Sequence, residues 1–203
     1  MDGFVDFVVR AIYSDARCDP TLAQPTPALA RILCGPDAIH RASGERFPSC
    51  SSDMGDGRLT IHLPASATAW QVNHHVGQQL VRWYLARHNY DGAKVDSVVR
   101  RIAAAVCVPT PAFARARDDL GENIGALSEH FRVSQSLMAL RVAECSGYPT
   151  ALRTPKQIIV RGSSWDWPQN EVDWDLLLQR ARAIGVTVRH LNDVRGRVVI
   201  RAH

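Results

Sequence analysis

The stretch Ala69–His88, AWQVNHHVGQQLVRWYLARH, decides how the rest of the chain is read. At about 100° per residue, His74, Gln78, Val81 and Leu85 share one face, and Val72, Val76 and Trp83 share the opposite one. Only Gln71, His75, Gln79 and Arg82 form a uniformly polar stripe. A helix with so little polar girth is expected to be buried along most of its length. The spacing therefore predicts a core helix with a histidine and a glutamine one turn apart on a buried face.

Before it, Arg58–Leu63 alternates like a strand that Pro64 stops. Ala42–Gly57, rich in Ser, Gly and Asp, reads as a loop. Asp2–Ala16 spaces Phe4, Val5, Val8, Val9 and Ile12 as an amphipathic opening helix. Asp19–Pro27 reads as a linker, and Thr26-Pro27 reads as an N-cap with proline at N1, starting a short helix through Leu33 that ends near Gly35-Pro36. After the central helix, Ala93–Val108 is a second helix stopped by Pro109 and Pro111, and Ala112–Leu120 a short third. Asn123–Glu144 divides into two helical pieces around Arg132-Val133-Ser134, with Ser134 as N-cap of Gln135–Glu144. The tail holds a strand at Gln157–Val160 and three tryptophans (Trp165, Trp167, Trp174) around a loop. A helix over Glu171–Ile184 ends at Gly185, and Val186–Leu191 and Arg197–Arg201 form a hairpin across Asn192–Gly196.

These pieces make an α+β chain with a helical core, a short sheet, a helical hairpin in the middle and a small C-terminal αβ subdomain. The divisions fall at 1–121, 122–150 and 151–203. At 203 residues, 46% apolar and 22% charged, the chain has the composition of an ordinary globular protein with room for a core. No stretch approaches a membrane span and Met1–Arg10 lacks a signal-peptide layout, so a cytoplasmic location is expected. A net charge of +4 is compatible with nucleic acid or an acidic protein partner, and arginine-rich composition accounts for it equally well. The five cysteines (Cys18, Cys34, Cys50, Cys107, Cys145) include no CxxC pair, which argues against a disulfide framework and a zinc knuckle alike.

The chemistry-bearing run is His74-His75-Val76-Gly77-Gln78, placed where a zinc peptidase carries His-Glu-x-Gly-His. Taken with Arg58–Leu63 before it, Asp96–Pro109 after it and Phe113–Val142 beyond, it resembles the ImmA/IrrE type of metallopeptidase. The match covers about half the chain, roughly Arg58 to Glu144. The resemblance implies a zincin-like fold in a bacterial cytoplasmic protein. It puts His74 at the first zinc-ligand position and Asp96 at the third. Gln78 replaces the second histidine, and His75 replaces the catalytic glutamate. Such enzymes need three protein ligands with an open water, and a carboxylate to take that water's proton. A neutral amide is a poor zinc ligand, and His75 points about 100° away from His74. Zinc, the family's cofactor, is therefore not expected, and His75 is the one catalytic candidate left, as an imidazole base. In the plain structural reading, His74 and Asp96 form a buried hydrogen-bonded pair that Gln78 completes.

Three functions are consistent with these residues. The leading one is a pseudo-peptidase that binds a protein partner in transcriptional or mobile-element regulation, using the old cleft as a docking groove. The second is a working zinc metallo-endopeptidase cleaving a repressor-type protein, with His75 or His62 completing a variant ligand set. The third is a DNA-binding regulator that reads through Gln135, Ser136 and Arg141. Only Arg132 and Arg141 are basic in that segment, beside Glu122, Glu129 and Glu144, which favours a helical hairpin packed on the central helix. Arg180, Arg182, Arg189, Arg195, Arg197 and Arg201 form a second basic region, read as a solvated face.

Overall fold

The computed structural model describes residues 2–22, 24–41, 51–90, 96–147, 150–153, 158–161, 174–183, 187–191 and 196–200. Within them the fold is α+β. The helices are α1 (Asp2–Asp15), α2 (Thr26–Cys34), α3 (Ala69–Arg87), α4 (Asp96–Cys107), α5 (Thr110–Leu120), α6 (Ile124–Phe131), α7 (Gln135–Ser146) and α8 (Trp174–Ala183). The strands are β1 (Ile39–Arg41), β2 (Ser51–Asp53), β3 (Thr60–Leu63), β4 (Thr150–Arg153), β5 (Ile158–Arg161), β6 (Thr187–Leu191) and β7 (Gly196–Ile200). The chain separates into two compact units, Met1–Gly121 with Glu129–Val133, and Glu122–Ser128 with Ser134–His203. The expected helical hairpin is thus shared between them. Trp165, Trp167, Cys50, Arg195 and Arg201 lie outside the described residues. Among those described, no single helix is long and apolar enough to cross a membrane.

The first unit is built on α3. Thr68 and Gln71 form a reciprocal capping box at its start: Thr68 Oγ1 accepts from the Gln71 amide at 3.4 Å, and Gln71 Oε1 accepts from the Thr68 amide at 2.8 Å. Val72, Val76, Leu80, Val81 and Leu85 are buried, against α2 and α4. Those helices contribute Leu29, Val99, Ile102, Ala103 and Val106 to the same core, and α1 adds Val5, Val8 and Ile12. The small sheet runs β1-β3-β2, with β1 parallel and β2 antiparallel to β3. Ile61 and Leu63 point into the core while Thr60 and His62 stay half-buried, the alternation expected of a one-sided strand. The loop expected over 42–57 is corrected at its end, where Ser51–Asp53 pairs with β3 and Gly55–Gly57 makes a single helical turn. Three polar residues carry no β signal of their own; the ladder to β3 holds them.

In the second unit, a four-stranded antiparallel sheet runs β5-β4-β7-β6. Helix α7 packs on it with Leu137, Met138, Ala139, Val142 and Ala143 buried. Ser134 caps α7, its Oγ accepting from the Leu137 amide at 3.2 Å.

Gly77 marks the closest helix packing of the first unit. A Cβ there would stand 3.2 Å from Cys107 Sγ on α4 and 3.3 Å from Thr26 Cγ2 on α2. We expect Gly77→Val to destabilise the protein by about 2 kcal/mol, since overpacked cores lose roughly that much. Urea unfolding checks it: an unchanged midpoint would mean that α2 and α4 yield freely at this point.

Candidate functional site

The two residues one turn apart on α3 do meet. Gln78 Nε2 lies 2.7 Å from His74 Nε2. An amide nitrogen only donates, so the ring nitrogen facing it accepts, and a neutral His74 carries its proton on Nδ1. That Nδ1 is buried and has no hydrogen-bond partner among the described residues, and the same holds for His75 Nε2. Both rings resist protonation. Burial is the main cause for His74, with His75 and Arg100 adding repulsion. Burial also lowers His75, against a backbone hydrogen bond with Ser51 that works the other way.

Asp96 is elsewhere engaged. It is more than half exposed, takes a short hydrogen bond from Arg82 Nη2, and stands 3.8 Å from Arg100 Nη2 one turn along α4. The Arg82 hydrogen bond, then its charge, and to a smaller degree Arg100 hold the Asp96 carboxyl below the usual range. The expected buried His74–Asp96 pair is thus replaced by an exposed carboxylate between two guanidinium groups, a better environment for a charge than a buried neutral imidazole. His62 belongs to the sheet, its ring stacked on that of His40 at 5.6 Å in the register of β1 and β3. Among the described residues no three His, Cys, Asp or Glu side chains stand where they could hold one metal ion. Zinc asks for three converging protein donors. The residues here do not fit it.

The polar stripe is not simply a solvated edge. Gln71 serves the helix cap, Gln79 Oε1 accepts from Ser52 Oγ of β2 at 2.8 Å, and Arg82 holds Asp96. Reading the sequence by faces passed over Asn73, which is 4% exposed. Its Oδ1 accepts from the Thr26 amide and Thr26 Oγ1, both at 2.8 Å, and its Nδ2 donates to the carbonyls of Phe131 at 3.1 Å and Arg132 at 3.4 Å. The signal was present: at about 100° per residue Asn73 shares an arc with Gly77, Leu80 and Tyr84, all buried. A polar residue on such an arc needs partners.

In the α6–α7 segment, Arg141 is 4% exposed and donates to Glu144 Oε2 at 2.6 Å. It is not available for phosphate. Of the tail arginines, Arg182 is exposed. A separate cleft of ≈ 280 Å³ is lined by Val9, Ala105 and Pro111 with Asp6 and Arg10, and includes none of the motif residues.

No family model matches the chain, and no curated protein does. A solved structure described as a Mycobacterium tuberculosis transcriptional regulator is similar to it. That likeness has a TM-score of 0.59 at 15% identity, over 95% of this chain and 77% of that one. At this identity the likeness is one of fold.

The two depressed imidazoles set a pH dependence. Between their folded values and the ordinary 6.5, the unfolded chain takes up protons that the folded chain refuses. Stability therefore rises with pH through that window, and the contribution of these rings is level on either side of it. Asp19 and Asp96, held below 3.8, act only further down. The urea midpoint is expected to fall between about pH 7.5 and about pH 5.5, and a His74→Gln, His75→Gln variant to lose most of that fall. Equal slopes in both proteins would mean that these rings titrate normally.

Proposed function

We propose that the chain is a pseudo-peptidase on an ImmA/IrrE-like, zincin-like scaffold, a protein-binding regulator in transcription control. The face around His74 and Gln78 holds a partner and does not hydrolyse it. The observation that carries this reading is the occupation of both candidate ligands by other residues: Gln78 takes the Nε2 of His74, and Arg82 and Arg100 take Asp96. Hydrolysis at zinc needs three free protein donors and a proton acceptor beside the water. His75 alone does not replace them, and His62 stands with His40 on the sheet.

Among the described residues, two imidazole nitrogens on consecutive residues, His74 Nδ1 and His75 Nε2, are left without partners. Buried polar atoms are seldom left so unless something else satisfies them, and a bound protein segment does that. The regulatory part of the reading is supported by the fold shared with a protein named as a transcriptional regulator. A protein partner is favoured over DNA by Arg141, whose guanidinium is spent on Glu144 inside the second unit. Phosphate recognition asks for a denser row of free cations.

Elemental analysis tests this. Protein incubated with zinc and desalted is expected to hold far less than one zinc per chain, with His74→Ala unchanged from the parent. Stoichiometric zinc that His74→Ala removes, together with cleavage of a repressor-type protein, would make the chain a working metallopeptidase.

A further inference from the structure

We infer that Asn73 is the fastening through which the His74–Gln78 face controls the turn between α6 and α7. The residue directly precedes His74 and is almost fully buried. Its Oδ1 accepts from the Thr26 amide, the single Thr26 hydroxyl proton is shared between Oδ1 and the Asn73 backbone carbonyl, and both Nδ2 protons go to the carbonyls of Phe131 and Arg132. With the oxygen on a donor and both amide protons on acceptors, the group has one orientation.

The two carbonyls it holds are those at which α6 ends. The last carbonyls of a helix have no partner inside it, and here the amide of Asn73 provides one. Arg132 follows with a φ of 52°, a left-handed conformation that a residue with a side chain adopts only when its surroundings impose it. Two residues later Ser134 caps α7. The turn is therefore pinned at its beginning by α3 and at its end by its own serine.

A helix transmits a shift along its length because it is rigid, and hydrogen-bonded side chains carry the shift onward. Asn73 and Gln78 lie on the same helix with His74 between them, and His74 is bonded to Gln78. A partner that engages that face moves α3 at the point where the Asn73 amide holds the carbonyls of Phe131 and Arg132. The role of this turn in signalling rests on the docking reading above; the fastening itself does not.

Hydrogen–deuterium exchange on the full chain, without partner, tests it. Asn73→Ala and the milder Asn73→Ser are expected to speed exchange across residues 129–137 by about tenfold or more, while peptides from α1 keep the parent rate. Gln78→Leu is expected to change exchange in the same 129–137 peptides, and that effect is expected to vanish when Asn73 is already Ala. If Asn73→Ala does not fold, Asn73→Ser carries both arms. The inference is overturned by any of three outcomes: exchange rising equally everywhere, no change across 129–137, or a Gln78→Leu effect that survives without Asn73. The zinc measurement decides the docking reading separately, so the two cannot fail as one.

Discussion

A single buried carboxamide ties α2 and α3 to the segment Glu129–Val133 within the first unit. Thr26 is the first residue of α2, follows a proline with no side-chain cap, and is fully buried. Its backbone N–H is one of the orphan donors every helix start leaves behind. Phe131 ends α6 and leaves an orphan acceptor in the same way. Asn73, from the interior of α3, answers both, and the one Thr26 hydroxyl proton is shared between its Oδ1 and its backbone carbonyl. A buried donor or acceptor stripped of its partner costs about 1–3 kcal/mol. Several such groups meet at Asn73, so α3 has little freedom to turn about its own axis.

Gly77, one turn further, fixes the same helix by a different physics. Its missing Cβ lets α2 and α4 approach within van der Waals distance of the α3 backbone. A hydrogen-bonded point and a steric point on one arc together settle which faces α3 shows to its neighbours. The polar arc then meets β2 through Gln79 and the start of α4 through Arg82. The His74–Gln78 run is therefore held in a defined setting by residues outside it.

What could be read from residue order alone follows a physical division. The core helix, the break at residues 132–134, the Ser134 cap and the closing β6–β7 hairpin rest on local periodicity and local capping, and all were legible. The strands β1, β2 and β4 were not. Ser51-Ser52-Asp53 becomes a strand only because β3 offers it a ladder, and no local preference reports a non-local pairing. Prolines misled once: Pro111 sits in the first turn of α5, where its missing N–H costs nothing, and so the helix begins at Thr110. At the site, the meeting of His74 with Gln78 was implied by their spacing of four. The diversion of Asp96 was not, because it depends on Arg82, fourteen residues away, and on how α3 and α4 pack.

The pairing of Gln78 with His74 also bears on what a metal ion would meet on this face. An amide N–H serves an imidazole only through a ring nitrogen that keeps its lone pair, so the contact in this form goes with a neutral His74. Burial favours that neutral form, and His75 and Arg100 add to it. The hydrogen bond in turn stabilises the neutral ring further, since protonation would set two N–H groups against each other at 2.7 Å. A metal would need the same lone pair and would have to displace the amide, with no second imidazole to replace it. Across α4, Asp96 would first have to leave two guanidinium groups. Each residue is thus matched to its neighbours: the glutamine suits a neutral histidine, and the Asp96 carboxylate suits the arginines.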